Sequence, residues 1–150
     1  MGVPLSPEDV VLRCAVYDIA LESGRVPSTR DCARALGRSD TAIAASLERL
    51  HAAHQLVLAP NGEILMAMPF SAVPTPFVVR SGALEAYGNC GWDALGIAAM
   101  LGRDATLSTS CADCGDALEI RVRDADVQGT GALLHFALPV RRWWESVVFT

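Results

Sequence analysis

A thiol and a carboxylate stand three residues apart in the run Tyr87-Gly88-Asn89-Cys90-Gly91-Trp92-Asp93-Ala94-Leu95. The segment reads as the start of a helix from Asn89 to Leu101, closed by Gly102. Three residues is nearly one helical turn, so Cys90 and Asp93 can face the same way, within reach of a shared proton or metal ion. The positive end of the helix dipole and its free N–H groups favour thiolate over thiol at Cys90. A thiolate binds soft, thiophilic ions, and a neighbouring carboxyl can give a proton to a carbon that leaves the metal. The same spacing also fits a plainer role, a small buried Cys and an Asp that steadies the first turn.

A second thiol pair lies in Cys111-Ala112-Asp113-Cys114-Gly115, which has the form of half a zinc site. Structural zinc usually needs two such pairs, and His51, His54 and His135 show no ligand spacing relative to this one. A redox pair, or a simple turn, fits the same residues. Cys14 and Cys32 are expected on apolar helix faces, in the core. Trp143-Trp144 beside Arg141-Arg142 suits either stacking on a ligand or packing.

These residues need a scaffold, and the sequence predicts an α+β one in two parts. Apolar positions from Val11 to Leu21 make a helical stripe over residues 8 to 22, with Ser6 as N-cap, Pro7 beside it and Gly24 as the stop. Ser28 precedes a second helix, Thr29 to Leu36, ended by Gly37. Ser39 or Asp40 caps a third with Ile43, Leu47 and Leu50 on one face. Leu56 to Leu58 and Ile64 to Met68 are expected to form a hairpin around Pro60-Asn61-Gly62. That order predicts a winged-helix-like domain over residues 1–70. Pro69, Pro74 and Pro76 mark a linker or edge segment, and a second unit, residues 71–150, comes after it. It is expected to pack one helix on a mainly antiparallel sheet, with strands at Phe77 to Val79, Ala105 to Ser108, Leu118 to Val122, Ala132 to Leu138 and Trp144 to Thr150.

Composition excludes several classes. No stretch approaches the roughly 18 uninterrupted apolar residues of a membrane span, and Met1 to Pro7 has no secretory pattern, so a cytoplasmic location is expected. Five cysteines, an odd number, suit reduced thiols there better than a disulfide framework. A winged helix invites a nucleic-acid reading, but the net charge is −5. Residues 1–68 carry six Arg against eight acids, and the third helix offers chiefly Arg49. Phosphate contacts need more basic charge than this, so nucleic acid is not an expected partner.

Together with the residues downstream of it, the Cys90 segment resembles the organomercurial lyases, or alkylmercury lyases. Asn89 to Leu95, then Ala98-Ala99-Met100-Leu101-Gly102-Arg103 and Ser108-Thr109-Ser110-Cys111, are similar to the family's central segment. In that family a Cys three residues before an Asp opens a helix, an Ile/Leu-Gly-Arg follows, and another Cys comes after a Ser-rich strand. The resemblance runs forward through Gly115 to Val127 and back to the winged-helix-like unit, and so covers most of the chain. Cys-x-x-Asp alone is a weak motif; the combination is far more specific.

The resemblance implies protonolysis of carbon–mercury bonds, giving a hydrocarbon and Hg(II), with no resident cofactor and with cytosolic thiols as cosubstrates. Cys90 would take the mercury, Asp93 would protonate the leaving carbon, and Cys111 matches a third family cysteine of structural character. With Cys114 these thiols are the candidate metal ligands. The family's second catalytic Cys belongs on a strand that here falls at or just beyond Thr150, and Val147-Val148-Phe149-Thr150 has none. The core is therefore read as truncated and cleavage as impaired, because two thiolates on one mercury weaken the carbon bond. Three explanations stay open: a fragment, such as a frame ended at a codon read as selenocysteine; a second thiol supplied by Cys114; or lost activity. The alternative is a non-enzymatic winged-helix transcriptional regulator or a thiol-based metal-binding module.

Overall fold

The computed structural model describes residues 4–128 and 131–148. Three helices open the chain: α1 (Pro7–Ser23), α2 (Thr29–Leu36) and α3 (Asp40–Ala52). Their ends reflect local chemistry. Ser6 and Ser28 each accept from the backbone N–H three residues on, while Asp9 and Asp31 accept from the cap backbone in return. Gly24 and Gly37 close α1 and α2 in the left-handed conformation. Strands β1 (Val57–Leu58), β2 (Ile64–Ala67) and β3 (Phe70–Ser71) form an antiparallel sheet in that order.

The next sheet is five-stranded and antiparallel, built from β4 (Val78–Ser81), β5 (Leu84–Tyr87), β6 (Ala105–Ser110), β7 (Ala117–Arg123) and β8 (Asp126–Val127) in the order β5-β4-β6-β7-β8. Helix α4 (Gly91–Leu101) connects β5 to β6 and packs on the sheet. Its buried Ala94, Ile97 and Ala98 meet Val79, Ala86 and Leu107 in one core. A second core lies under the first three helices around Leu12, Ile43, Leu47 and Leu50. Helix α1 joins both, giving Leu12 and Val16 to one and Ala20 to the other. Phe70 crosses similarly: it pairs in the first sheet and is fully buried in the core of the second. The α1 terminus is docked directly on β5, where a side chain at Gly24 would collide with the Glu85 carbonyl. The mixed helix and antiparallel-sheet class is thus present, and among the described residues no helix is long and apolar enough to cross a membrane.

Several expectations need correction. Residues 132–138 form no strand. Leu133 stands out in solvent, Leu134 lies against Gly91, and the Phe136 ring meets Trp92 edge-on with centroids 6.1 Å apart. The expected strand at Trp144 to Thr150 is not formed by its described part either, since Val140–Glu145 is a 3₁₀ helix with Pro139 at its N-cap, and residues 149–150 lie outside the described residues. The tryptophans there pack on protein. Trp144 stacks on His54 at 4.1 Å, and the Trp143 indole N–H donates to the Leu138 carbonyl at 3.0 Å. Cys14 is exposed rather than in the core, because Leu12, Val16 and Ala20 form the inward stripe and position 14 points away from it. Cys32 is buried as expected, and burial first of all pushes its thiol up to about 11.

Asp9 is the fold's main buried charge. Its carboxylate, fully buried, takes three hydrogen bonds from Arg49 at 2.7, 3.0 and 3.2 Å. Arg49 also donates to Ser46 at 2.9 Å. The principal basic side chain of α3 is therefore paired with a buried carboxylate of the same protein, which offsets its charge. Arg49 foremost, and the Ser6 bonds after it, hold the Asp9 carboxyl far below the usual carboxylate range. A depressed folded pKa stabilises above the unfolded value of 3.8 and is lost as pH falls below it. Arg49→Ala should cost about 2–3 kcal/mol at neutral pH, below the usual range for a broken buried pair because Arg49 is 41% exposed. Thermal melts of both proteins at pH 7 and pH 3 should show that deficit shrinking in acid; an equal deficit at both would mean that packing alone is lost.

Candidate active site

The site begins where β5 hands the chain to α4. Gly88 makes this possible, since a Cβ there would stand 2.7 Å from the Ala94 backbone nitrogen. Cys90 comes next as the N-cap of α4, in extended backbone, with its Sγ accepting from the Asp93 N–H at 3.4 Å. The thiol thus occupies the position a capping serine would take. Thiol and carboxyl leave the same first turn, as the three-residue spacing predicts.

Electrostatics depart from the sequence reading, in which the helix N-terminus makes Cys90 a ready thiolate. Instead burial pushes the thiol up from its ordinary value, against the Asp93 N–H bond that favours the charged form. Burial also raises the Asp93 carboxyl above its usual range, opposed by a hydrogen bond from Asn89. Both groups therefore hold protons more tightly than they would in water, which suits proton donation to carbon better than a permanently charged pair.

Asn89 and Tyr17 are the members that sequence reasoning left without a role. The Asn89 amide donates to Asp93 Oδ2 at 2.9 Å and to the Pro69 carbonyl at 3.2 Å, while its own Oδ1 is buried without a partner. Asp93 Oδ2 is thereby fixed, and Oδ1 is the oxygen left to carry a proton. The i,i+4 spacing of Asn89 and Asp93 was the signal available for this contact. Tyr17 comes from α1 and donates to the Met68 carbonyl at 2.9 Å. Its hydroxyl is raised by burial first, with Arg13 opposing and the Asp93 charge adding to the rise. Helix α1 and the Met68-Pro69 segment therefore wall the acid's side of the site.

Apolar groups lie beside Gly91, the residue that follows the thiol. The position a Gly91 side chain would take lies 3.1 Å from a Leu134 methyl and 3.7 Å from the Phe77 ring. Two surface hollows, one at Leu21 and Met100 and one at Thr29 and Asn61, include neither Cys90 nor Asp93. Cys111 and Cys114 sit on the turn that leaves β6, Cys111 half-buried and Cys114 exposed. Register places that turn at the same end of the sheet as Cys90, because Val78 pairs with both Tyr87 and Ser108. Among the described residues, however, no three His, Cys, Asp or Glu side chains gather into a group that could hold a metal ion, so the three thiols are not one site.

Comparison with known proteins bears on this arrangement. A family model described as alkylmercury lyase matches residues 70–150. The fold is similar to the crystal structure of the mercury-bound form of MerB2, with a TM-score of 0.66 and 18% sequence identity. That likeness covers 83% of this chain and 60% of the other, so the chain spans about three-fifths of the length of that protein. A search of the curated proteins returns no match.

Proposed function

The chain belongs to the alkylmercury lyase family, and on that footing we propose that it cleaves carbon–mercury bonds by protonolysis, with Cys90 as mercury acceptor and Asp93 as proton donor. The carrying observation is the pair itself: a half-buried thiol capping a helix, bonded to the backbone of an aspartate whose carboxyl burial keeps prone to protonation.

On this reading the protons balance. Mercury displaces the proton of the Cys90 thiol, which passes to the ionised Asp93 carboxylate as the organomercurial gives up its anionic ligand. A small-molecule thiolate adds to this mercury as the second sulfur that weakens the carbon bond, and Asp93 delivers its proton to the carbon, releasing the hydrocarbon and leaving Hg(II) between Cys90 and that thiolate. A further thiol then replaces Cys90 on the metal, its proton passing to the Cys90 sulfur, and the dithiolate product leaves for solution. Phe77 and Leu134, beside Gly91, offer an apolar side for the organic group. The reading includes a winged-helix-like unit, residues 1–70, supported by three helices and the small antiparallel sheet after them, and a lyase-like core, residues 71–150. The first unit's role in this reading is structural: α1 ties Tyr17 to the Met68 carbonyl beside Pro69, and Arg49 pairs with Asp9.

Incubation of the purified chain with phenylmercury and excess monothiol, following benzene by gas chromatography, tests the proposal. Benzene formed in multiple turnovers is the expected result; mercury bound without benzene would make the chain a binder. Asn89→Ala gives a sharper test of geometry. Removing the bond that favours ionised Asp93 should raise that carboxyl further and carry the alkaline fall of the rate to higher pH. Lost positioning should also slow cleavage about tenfold. An unshifted pH–rate profile would remove Asn89 from the site.

A further inference from the structure

The Cys111–Cys114 turn is not used by this chemistry, yet its construction is that of a chelating dithiol. The Cys111 N–H donates to the Asp116 carbonyl at 2.8 Å, and the Gly115 N–H returns to the Cys111 carbonyl at 2.9 Å, closing the turn. Gly115 adopts φ 79°, a left-handed conformation that costs glycine little. The closed turn holds Cys111 and Cys114, three residues apart, on one tight loop. Neither sulfur is buried in the core: Cys111 is half-buried and Cys114 exposed.

We propose that Cys111 and Cys114 form a second, two-sulfur site for a soft cation of linear coordination, Hg(II) in the first instance. Two thiolates complete such an ion's preferred sphere, whereas a four-coordinate ion such as Zn(II) finds only half its ligands here. The site stands without any activity at Cys90. Its place adds a use that rests on the proposed cleavage. The dithiol lies at the same end of the sheet as Cys90 and is more open to solvent, so it can accept Hg(II) leaving that sulfur. In that exchange Hg(II) held between Cys90 and a monothiol breaks both of its sulfur bonds and forms two new ones to Cys111 and Cys114. The two displaced protons go to Cys90 and to the released monothiol.

The test uses the full chain, reduced, in a Cys14→Ser/Cys90→Ser background that removes the exposed thiol and the proposed catalytic one. Hg(II) is added with excess glutathione, and alkylation with iodoacetamide is mapped by peptide mass spectrometry. Hg(II) protecting Cys111 and Cys114 together, with one mercury retained per chain in native mass spectra, is the expected result. Adding Cys111→Ser or Cys114→Ser should abolish retention and expose the remaining thiol, with unchanged circular dichroism showing that the turn variant folds. Retention that survives loss of either sulfur, tight Zn(II) uptake in place of Hg(II), or no protection of the pair would each overturn the site. Because no organomercurial is present, these outcomes are independent of benzene release, which judges the lyase reading separately.

Discussion

Cys90→Ser should abolish benzene release from phenylmercury while leaving the melting temperature unchanged or slightly raised. The two halves of that expectation come from different properties of one atom. As an N-cap, the Cys90 sulfur accepts a backbone bond from Asp93 at 3.4 Å, and serine is among the best residues for that position. The substitution therefore keeps the helix start, and with it the placement of Asp93. As a ligand, the sulfur is irreplaceable, since a hydroxyl neither ionises in this range nor binds a soft metal well. Cleavage should fall by at least about 10³-fold, as for removal of a covalent nucleophile. Because burial raises the thiol, mercury uptake by the native chain should also keep accelerating as pH rises beyond the ordinary thiol range. Residual turnover near the native rate in Cys90→Ser would move the acceptor role elsewhere, with Cys111 and Cys114 the next candidates.

How far this site is visible in the sequence depends on whether its parts are local. Cys90 and Asp93 are joined by one helical turn, and caps such as Ser6, Ser28 and Gly37 are short-range chemistry, so all of them are readable. Helix α2 is legible to its observed ends for the same reason. The contacts to Tyr17 and Pro69 span tens of residues and depend on how α1 and β3 meet α4, which periodicity does not encode. β5 escapes a sequence reading because Leu84-Glu85-Ala86-Tyr87 is short and its alternation is satisfied only by pairing with β4. The opposite error arises at Ala132 to Leu138, where an apolar run has the look of a strand but sets only Leu134 on Gly91 and Phe136 on Trp92 and leaves Leu133 in solvent. Asp9 shows the same limit. It is legible as a first-turn acid, but its burial requires Arg49 from a helix that comes later in the chain.

Asp93→Asn separates the proton from the metal. The amide has the shape of the carboxyl and can still accept from Asn89, so the first turn and the Cys90 cap should persist, and stoichiometric mercury binding with them. What is lost is the acid, and cleavage should fall about 10²–10⁴-fold, the usual share of a positioned proton donor. Stability should move the other way. Burial raises the folded pKa of Asp93 above the unfolded value of 3.8, so this group's stabilising contribution is complete below that value and is lost as pH rises through the folded pKa. At neutral pH the native chain bears the burden of a partly desolvated carboxylate, which the neutral amide removes. Asp93→Asn should therefore melt higher than the native protein at pH 7 and close to it at pH 4. A variant that is slower and more stable, with the stability gain confined to the higher pH, is the signature of an acid held in an unfavourable setting for its chemistry. Equal melting shifts at both pH values would mean that Asp93 is not held as a raised acid. Cleavage at the native rate would show that the proton reaches carbon by another route, directly from the Cys90 thiol or from water.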